Sequence, residues 1–485
     1  MSTFVALGIL HLRTTEEGLA MVQIGVAGKQ VYTTVRPLDS RLDSCLESPA
    51  MSHSLASIST PLAASMNQAL ETRRKHQIPV LDLAKPVPQG PDVYTNDFLS
   101  LTNDPDLRQL FLDKLNKSPR VFGVAGSRLL GGNSSDHLDF ETRMARFFES
   151  PAALLFNSGY DANVAFWHSV PQQGDVIVLD ELVHASSRDG MAISRASKSL
   201  YLFTHNSPTS FEECVLRAMK EHPSIGQGKN TLFVAVEATY SMDGDFAPLP
   251  DIVRVVEKYV PKQSAHILVD EAHSTGVFGP QGRGLVHHLG LQDRIHTVLH
   301  TFGKGRALTG AVFVTSPIIR QYVINYGRPF IYTTALPISL ICGLNASFDY
   351  LEGPVGDHRR SELRRLCEYF RAALEEALKP FPSNLLSLRD RTLPAGYPSD
   401  IISPITPIMT SYPMQLSDFL NSLGYAVQGI PYPVVPRGEE RIRISVHALH
   451  TEAELDTLVV RLKQWGTMMQ TMAAQVQARQ LQSRL

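Results

Sequence analysis

The chain has 485 residues, of which 43% are hydrophobic and 19% charged, an ordinary composition for a globular enzyme of two or three domains. Its formal net charge of −2 argues against a nucleic-acid binder that depends on a broad basic field. Four scattered cysteines without metal-ligand spacing argue against a disulfide framework or a metal site. No uninterrupted apolar run is as long as the about 18 residues that a membrane-spanning helix needs.

The first sixty residues are assigned to no domain. Residues 4–12 are apolar, but no basic region precedes them and Glu16 and Glu17 follow closely, a pattern that fits neither a secretory signal nor a transit peptide. Met51 is an alternative start. Residues 61–95 are interpreted as an N-terminal helical segment, because the stretch 61–77 places four apolar side chains on one helix face: Leu62, Met66, Ala69 and Leu70.

Between residues 96 and 352, short apolar runs rich in β-branched residues alternate with helical patterns. The predicted strands cover residues 176–179, 232–236, 267–269 and 297–299, and helices are expected over residues 210–221 and 249–259. Continuous apolar strands joined by helical crossovers are typical of a parallel sheet covered on both faces. The region therefore predicts a large α/β domain with a largely parallel sheet.

A second pattern begins near residue 353. An amphipathic helix over residues 359–378 precedes shorter strands at 405–409 and 441–446, and a closing helix starts at Glu452. Helices against a small antiparallel sheet predict a smaller C-terminal α+β domain over residues 353–470, followed by a tail at 471–485.

Polar, titratable residues follow each of the four predicted strands at its carboxyl end. Open α/β sheets bind ligands beyond this edge, so the sequence predicts a ligand site there. In strand order these residues are Asp180 and His184, then Glu237 and Ser241, then Asp270 and His273, then His300, Thr301 and Lys304.

These residue types suit a cofactor with an aldehyde and a pyridine ring. A lysine between glycines that burial neutralises can form a Schiff base, and an aspartate can pair with a protonated pyridine nitrogen to strengthen the ring as an electron sink. Taken singly, an aspartate at a strand end more often caps a helix, a lysine is more often solvated and a histidine more often structural. Their joint order favours the cofactor site.

Several segments, in co-linear order from about residue 65 to 470, resemble the α-oxoamine synthases, a family of pyridoxal 5'-phosphate (PLP) enzymes. The segment DEAHSTG at 270–276 is similar to the family's aspartate–histidine segment, and TFGKG at 301–305 is similar to its cofactor-lysine segment. Further similar segments are GSR at 126–128, SGYDAN at 158–163, SMDGD at 241–245 and YPVVP at 432–436. The resemblance implies a fold-type I PLP-dependent transferase that acts as a homodimer with a shared active site.

The resemblance also implies a role for each matching residue. Lys304 carries PLP and moves the substrate's Cα proton, Asp270 binds the pyridine nitrogen, and His273 contacts the phenolic oxygen. His184 stacks on the ring and assists the condensation. The other cofactor positions are Gly159, Tyr160, Ser241 and Thr301, together with Thr333 and Thr334, which reach the neighbouring subunit's phosphate. Asn96 and Arg443 bind the carboxylate of the amino-acid substrate.

Family members condense a small amino acid with an acyl-CoA and release CoA, and in most of them carbon dioxide leaves as well. Residues 241–249, 301–305 and 331–337 resemble members that join L-alanine to pimeloyl-CoA, giving 8-amino-7-oxononanoate for biotin synthesis. The bacterial members carry an arginine where this chain has Pro431, so Arg443, or Arg437, is expected to hold more of the carboxylate's charge. The YPVVP segment instead resembles members that use glycine and acetyl-CoA. A secondary-metabolite synthase of the family is a further alternative.

Arginines at positions 73, 74 and 128 either line a groove for CoA or are solvated surface charges. A non-catalytic partner subunit of the same fold, the alternative from another functional class, typically loses the cofactor lysine, whereas Lys304 is present. A hydrolase is disfavoured because no Gly-x-Ser-x-Gly elbow stands at a strand–helix turn.

The chain ends in Ser483-Arg484-Leu485, a variant of the Ser-Lys-Leu tripeptide that directs import into peroxisomes. We expect a peroxisomal location, with a cytoplasmic one as the alternative.

Overall fold

The computed structural model describes residues 60–482 apart from 77, 79, 81–89 and 124, together with three strands between residues 12 and 35. The chain separates into two compact units, Met1–Asp82 and Leu83–Leu485. Among the described residues, no helix has both the length and the apolar character needed to cross a bilayer.

The first unit contains the predicted helix and three antiparallel strands that were not predicted from the sequence. The strands are β1 (Leu12–Thr14), β2 (Ala20–Val26) and β3 (Lys29–Val35). Helix α1 (Pro61–Lys75) ends two residues before its predicted end, and the Thr60 side chain accepts a hydrogen bond from the Ala63 N–H at its start. The predicted apolar face remains exposed at Leu62, Met66 and Leu70.

The second unit opens with helices and then alternates strands with helices. Its elements up to the last strand of the large sheet are α2 (Pro105–Lys117), α3 (Ser135–Phe147), β4 (Ala152–Phe156), α4 (Gly159–Ser169), β5 (Val176–Asp180), α5 (Ala185–Ala192), β6 (Leu200–Phe203), α6 (Pro208–Glu221), α7 (Pro223–Gly226), β7 (Leu232–Glu237), α8 (Leu249–Tyr259), β8 (Ala265–Asp270), α9 (Leu285–His288), β9 (Thr297–Thr301) and β10 (Ala311–Thr315).

The remaining elements complete the second unit. They are α10 (Pro317–Tyr326), α11 (Arg328–Ile331), α12 (Ile338–Leu351), α13 (Pro354–Leu378), β11 (Ser387–Leu388), β12 (Ile405–Met409), α14 (Pro413–Ser422), β13 (Gly429–Ile430), β14 (Arg441–Ser445) and α15 (Glu452–Gln482). Short irregular turns lie at Arg128–Gly132, Lys262–Ser264 and Pro280–Gly282.

The large sheet has the strand order β4-β10-β9-β8-β7-β5-β6, and β10 runs antiparallel to both of its neighbours. Its strands are apolar at successive positions because both faces are covered. In β5, Val176 and Val178 pack into one core cluster while Ile177 and Leu179 pack into another. Each of the four predicted strands falls within an observed one, so the largely parallel α/β fold is confirmed.

The parallel pairing brings the predicted polar residues to one edge of this sheet. Glu237 at the end of β7 pairs in register with Asp270 at the end of β8, and Asp270 pairs with Leu299 of β9. Since β5 pairs in parallel with β7, Asp180 ends at the same edge.

A second, antiparallel sheet of order β11-β12-β14-β13 forms near the C-terminus, as predicted for an α+β region. One turn of the large-sheet region packs closely against it. Gly244 has φ +66°, and a Cβ there would lie 2.4 Å from the Ile405 carbonyl oxygen. Only glycine fits this left-handed conformation at such close approach. Both sheets lie in one compact unit, and the boundary at residue 353 stays a prediction.

Candidate active site

Asp270 is held at the end of β8 by two donors. Asn163 Nδ2 donates to its Oδ2 at 2.8 Å, and the Ala272 N–H donates to its Oδ1 at 2.9 Å. Asp270 and Asn163 are both buried. The carboxylate is therefore fixed as an acceptor that can face a protonated ring nitrogen.

His184 joins the same network through Ser186. Asn163 Nδ2 also donates to the Ser186 hydroxyl at 3.0 Å, which lies 2.7 Å from His184 Nδ1. The Ser186 backbone N–H donates to Nδ1 as well, at 3.2 Å. Because Nδ1 accepts these bonds, this network places the imidazole proton on Nε2.

Glu237 accepts a hydrogen bond from the backbone of His184. Its Oε1 accepts the His184 backbone N–H at 2.6 Å, and its side chain is buried. Burial raises the pKa of Glu237 well above its ordinary value, and neighbouring Asp270 raises it further. Burial therefore favours the neutral form of this carboxyl group. His184 as a whole residue is exposed, yet desolvation lowers its pKa, with Asp270 opposing and Lys304 adding to the shift.

Lys304 lies just after β9 and within electrostatic reach of these groups. Desolvation lowers the pKa of its amine below the ordinary value, while Asp270 and Glu237 oppose the shift and Arg443 adds to it. A lowered pKa increases the neutral fraction of the amine, the form that attacks an aldehyde and accepts protons.

His273 is buried, and its Nδ1 atom has no hydrogen-bond partner within the described residues. Burial lowers the pKa of His273 well below its ordinary value, and Lys304 lowers it further. A buried polar atom without a partner is costly unless a ligand supplies one.

The first turn of α4 supplies backbone donors. Ser158 caps the helix by accepting the Asp161 N–H at 3.1 Å, and Gly159 and Tyr160 follow at the first two helical positions. A Cβ at Gly159 would lie 2.5 Å from Thr301 Cγ2, so glycine is required for this contact between α4 and the end of β9. Helix N-termini bind phosphate groups through their free amides and the helix dipole.

Arg443 and Asn96 form a pair, and Asn96 lines the same cleft as Lys304, with a volume of about 700 Å³. Arg443 Nη2 donates to Asn96 Oδ1 and to the Tyr94 carbonyl, each at 3.1 Å, and Nη1 donates to the Ser241 carbonyl at 3.1 Å. The Arg443 Nε atom is buried without a partner within the described residues. This pair can receive a substrate carboxylate.

Thr333 and Thr334 lie beside Asn157, two residues before Gly159. Asn157 Nδ2 donates to the Thr334 carbonyl at 2.7 Å and reaches Thr333 Oγ1 at 3.5 Å. Thr334 is exposed, which leaves it accessible to another subunit.

Arg128 and Arg437, which the sequence offered for CoA and for the substrate carboxylate respectively, contact other side chains of the protein. Arg128 is a buried cation that donates to Glu141 at 2.9 Å and to Asn133 at 2.8 Å, so the structure contradicts its description as a solvated surface arginine. Arg437 is exposed and stacks on Tyr432 at 4.4 Å, which leaves Arg443 as the cation placed with Asn96.

Glu237 was predicted only as one of the polar residues at the ligand edge, and neither Asn163 nor Ser186 was predicted as a site residue, although all three stand in or beside the quoted segments. Their function depends on hydrogen bonds between residues far apart in the chain, such as Asn163 to Asp270. The only sequence signal was their position after a strand or at the start of a helix.

These residues fit PLP. The Asp270 carboxylate suits the ring nitrogen, the unpartnered His273 Nδ1 suits the phenolic oxygen, and the α4 N-terminus suits the phosphate. The Lys304 amine, with its lowered pKa, suits a covalent bond to the aldehyde.

A half-buried histidine, His205, clamps the loop that follows β7. His205 Nδ1 donates to Asp180 at 2.8 Å and Nε2 donates to Asp245 at 2.9 Å. Burial alone would lower the pKa of His205, but these two carboxylates raise it to about 10. His205, Asp243 and Asp245 lie close enough to share a metal ion. However, Asp243 already pairs with Arg389 and Arg441, which disfavours a cation there.

The chain is similar to known proteins over most of its length. Residues 95–462 match the family model of class I and II aminotransferases. An 8-amino-7-oxononanoate synthase of Emericella nidulans is 40% identical, over 79% of this chain and 91% of the relative. The aminoacyl transferase sphA of Byssochlamys spectabilis is 36% identical, over 76% of this chain and 79% of the relative.

A solved structure with the same fold contains PLP. It is a serine palmitoyltransferase from S. paucimobilis with a bound PLP–myriocin aldimine, at 27% identity and a TM-score of 0.69. The match covers 85% of this chain and 100% of that one.

The His205 clamp makes stability depend on pH in the alkaline range. Because its folded pKa of about 10 exceeds the ordinary value of 6.5, its contribution is fully present below pH 6.5 and is lost as pH rises towards 10. We expect His205→Gln to lower the free energy of unfolding by about 2–3 kcal/mol at pH 6, the scale of charge-assisted hydrogen bonds. The difference from wild type should shrink by pH 9.5, as measured by denaturant unfolding.

His168→Gln is the matched control, because burial and two arginines lower the pKa of His168. This substitution should leave the alkaline loss of stability intact. A difference between wild type and His205→Gln that is constant from pH 6 to 9.5 would show that His205 is not held as a cation.

Proposed function

Because this chain belongs to the α-oxoamine synthases, PLP-dependent acyltransferases within the class I and II aminotransferase family, we propose that it condenses L-alanine with pimeloyl-CoA. The reaction forms a carbon–carbon bond between the alanine Cα and the thioester carbonyl carbon. CoA leaves as the thiol, the alanine carboxyl group leaves as carbon dioxide, and 8-amino-7-oxononanoate remains.

One observation carries the proposal: a lysine with a lowered pKa and a carboxylate-binding pair adjoin the same cleft. Lys304 and Asn96 both line it, and Arg443 donates to Asn96. The relative at 40% identity bears the name of this synthase, which supports the choice of substrates.

In this proposal the amino acid's carboxylate binds Arg443 and Asn96. Arg443 is held in position by the carbonyl groups of Tyr94 and Ser241, so binding requires little reorganisation. Its unpartnered Nε atom provides a further donor. Arg443 thereby supplies the positive charge for the carboxylate in the absence of the arginine that the bacterial members have at the position of Pro431.

Lys304 accepts the proton from the substrate's Cα at Nζ. When bound, PLP supplies an electron-withdrawing ring that stabilises negative charge at Cα, and Asp270 maintains the ring's positive charge. His184 donates from Nε2 towards the thioester carbonyl oxygen, because its Nδ1 is occupied by Ser186. Glu237 and Ser186 position His184 for this role.

A second candidate is a secondary-metabolite synthase with another amino acid or thioester. The relatives named aminoacyl transferase sphA, at 36% and 35% identity, favour it. The reaction type is unchanged, and the acyl donor distinguishes the two candidates.

We also propose a homodimer in which Thr333 and Thr334 contact the partner's cofactor phosphate. The exposure of Thr334 beside Asn157 supports this arrangement. A peroxisomal location is proposed from the terminal tripeptide, which lies outside the described residues.

Lys304→Ala should abolish the visible absorbance of the bound cofactor and reduce CoA release at least about 1,000-fold, because no amine remains to bond PLP or move the proton. Absorbance spectra and a thiol assay measure the two effects, and circular dichroism checks the fold. The control Lys114→Ala, on α2, should retain the absorbance. An unchanged spectrum for Lys304→Ala would overturn the assignment.

CoA release by the purified protein should be fastest with L-alanine and pimeloyl-CoA in a grid of amino acids and acyl-CoAs. The product should carry carbons from both substrates, which mass spectrometry with labelled alanine detects. Release only with glycine and acetyl-CoA would replace the proposal with the acetyltransferase. Release only with other thioesters would favour the secondary-metabolite candidate.

Removal of Ser483-Arg484-Leu485 should leave a fluorescent fusion in the cytosol, whereas the full chain should give punctate fluorescence that coincides with a peroxisomal marker. The fluorescent protein must precede the chain so that the tripeptide remains terminal. Punctate import of the truncated chain would exclude the tripeptide as the signal.

A further inference from the structure

The segment that carries Asn96, residues 92–96, belongs to no helix or strand of the described chain. It forms one isolated bridge, between Asp92 and Ala426. Backbone carbonyl groups outside regular secondary structure still need hydrogen-bond donors where water has limited access. The position of Asn96 relative to Arg443 therefore depends on the groups that bind the carbonyls preceding it.

A single stretch of chain, residues 443–450, supplies these donors. Each of the four carbonyl groups at residues 92–95 accepts a hydrogen bond from it. In order along the segment the donors are His450 Nε2, the Ser445 N–H, Arg443 Nη2 and His447 Nε2, at 3.0, 2.7, 3.1 and 3.0 Å. Both histidine nitrogens must be donors here, because a carbonyl oxygen only accepts. Side chains thus do for this segment what a neighbouring strand does in a sheet.

His447 makes the bond nearest to Asn96, since its acceptor is the carbonyl of Thr95, the residue immediately before. His447 is buried, and its ring stacks on the His450 ring with centroids 4.9 Å apart and an interplanar angle of 8°. Its backbone N–H donates to His450 Nδ1 at 3.1 Å. The His447 ring is therefore fixed in orientation, and it fixes the peptide between Thr95 and Asn96. His447 also lines the same cleft as Asn96 and Lys304.

The carboxylate-binding pair makes exact placement of this peptide important. Asn96 Oδ1 accepts from Arg443, which leaves Asn96 Nδ2 as the donor for a substrate carboxylate. Pro431 offers no donor, and Arg437 stacks on Tyr432. A rotation of the peptide before Asn96 would turn Nδ2 away from the carboxylate, and small misplacements of substrate-binding groups are costly.

We propose that His447 is a positioning residue for the amino-acid substrate: its bond to the Thr95 carbonyl holds Asn96 where Nδ2 meets the substrate carboxylate. The role is exerted through Asn96, and the His447 ring transfers no proton in the reaction. This inference rests on the proposed function, since it concerns the amino acid of the same reaction, but it does not depend on the acyl donor.

The test compares L-alanine with ethylamine, which is L-alanine without its carboxylate. Each is titrated into the PLP-loaded enzyme without acyl-CoA, and the absorbance change of the bound cofactor gives the Kd. His447→Phe keeps a ring beside His450 but has no donor for the Thr95 carbonyl. It should raise the Kd of L-alanine about 10-fold, the scale of a lost hydrogen bond to a charged group, and that of ethylamine by less than about 2-fold.

Three further variants separate positioning from a general loss of structure. His447→Gln has an amide N–H for the same carbonyl and should bring the Kd of L-alanine to within about 3-fold of the wild-type value. In an Asn96→Ala background, His447→Phe should cause no further loss of L-alanine affinity, because residues that act through one another are not additive. The matched control is His222→Phe, a half-buried histidine that bonds the Tyr201 hydroxyl of edge strand β6 at 3.0 Å. It should bind L-alanine as the wild type does.

An unchanged Kd of L-alanine in His447→Phe, an equal loss for L-alanine and ethylamine, or additive effects of His447→Phe and Asn96→Ala would each overturn the role of His447. If the wild type binds glycine in place of L-alanine, glycine and methylamine make the same comparison. Since the titrations contain no acyl-CoA, failure to release CoA from pimeloyl-CoA and L-alanine would instead refute the proposed substrates and leave the positioning role intact.

Discussion

The site depends on the parallel backbone pairing of β5, β7, β8 and β9. This pairing directs the carboxyl ends of four strands to one edge, where Asp180, Glu237, Asp270 and Thr301 stand in neighbouring positions. Parallel strands require crossovers, and here the crossovers are helices that cover both faces of the sheet. The resulting burial lowers the local dielectric at the edge, so that each charge there strongly affects its neighbours.

Burial shifts the pKa values of the titratable groups in the site towards their uncharged forms. It lowers the pKa values of Lys304 and His273 and raises that of Glu237. Around Asp270, burial therefore favours the uncharged forms of the Lys304 amine, the His273 imidazole and the Glu237 carboxyl group. Asn163 links this carboxylate to Ser186, and Ser186 in turn bonds His184, so a single amide side chain orients both ends of the network.

The small antiparallel sheet contributes residues to the active site, as the large sheet does. β14 carries Arg443, which reaches across to the Ser241 carbonyl after β7. The same loop packs against β12 at Gly244 and is clamped at Asp245 by His205. A chain segment of five residues thus joins the two sheets, and the carboxylate-binding pair forms where they meet.

The sequence by itself determined the periodic features: the four predicted strands of the large sheet, the helix at Leu249–Tyr259, the closing helix from Glu452, and the titratable residues after each strand. These follow from local patterns of apolar and polar residues, which the chain displays without knowledge of its fold. The motif order also identified the family. It did not predict the strands between residues 12 and 35, or the antiparallel β10 within an otherwise parallel sheet.

Only the tertiary structure decided which residues act together. The bond from Asn163 to Asp270 spans more than 100 positions, and the bond from Arg443 to Asn96 spans more than 300. The same holds for Arg128, for which the sequence left open a CoA groove or a surface position and which is a buried partner of Glu141. The local sequence pattern predicts which face of a helix or strand a side chain occupies. Its hydrogen-bond partners and its desolvation depend instead on residues from distant segments that pack beside it in the folded chain.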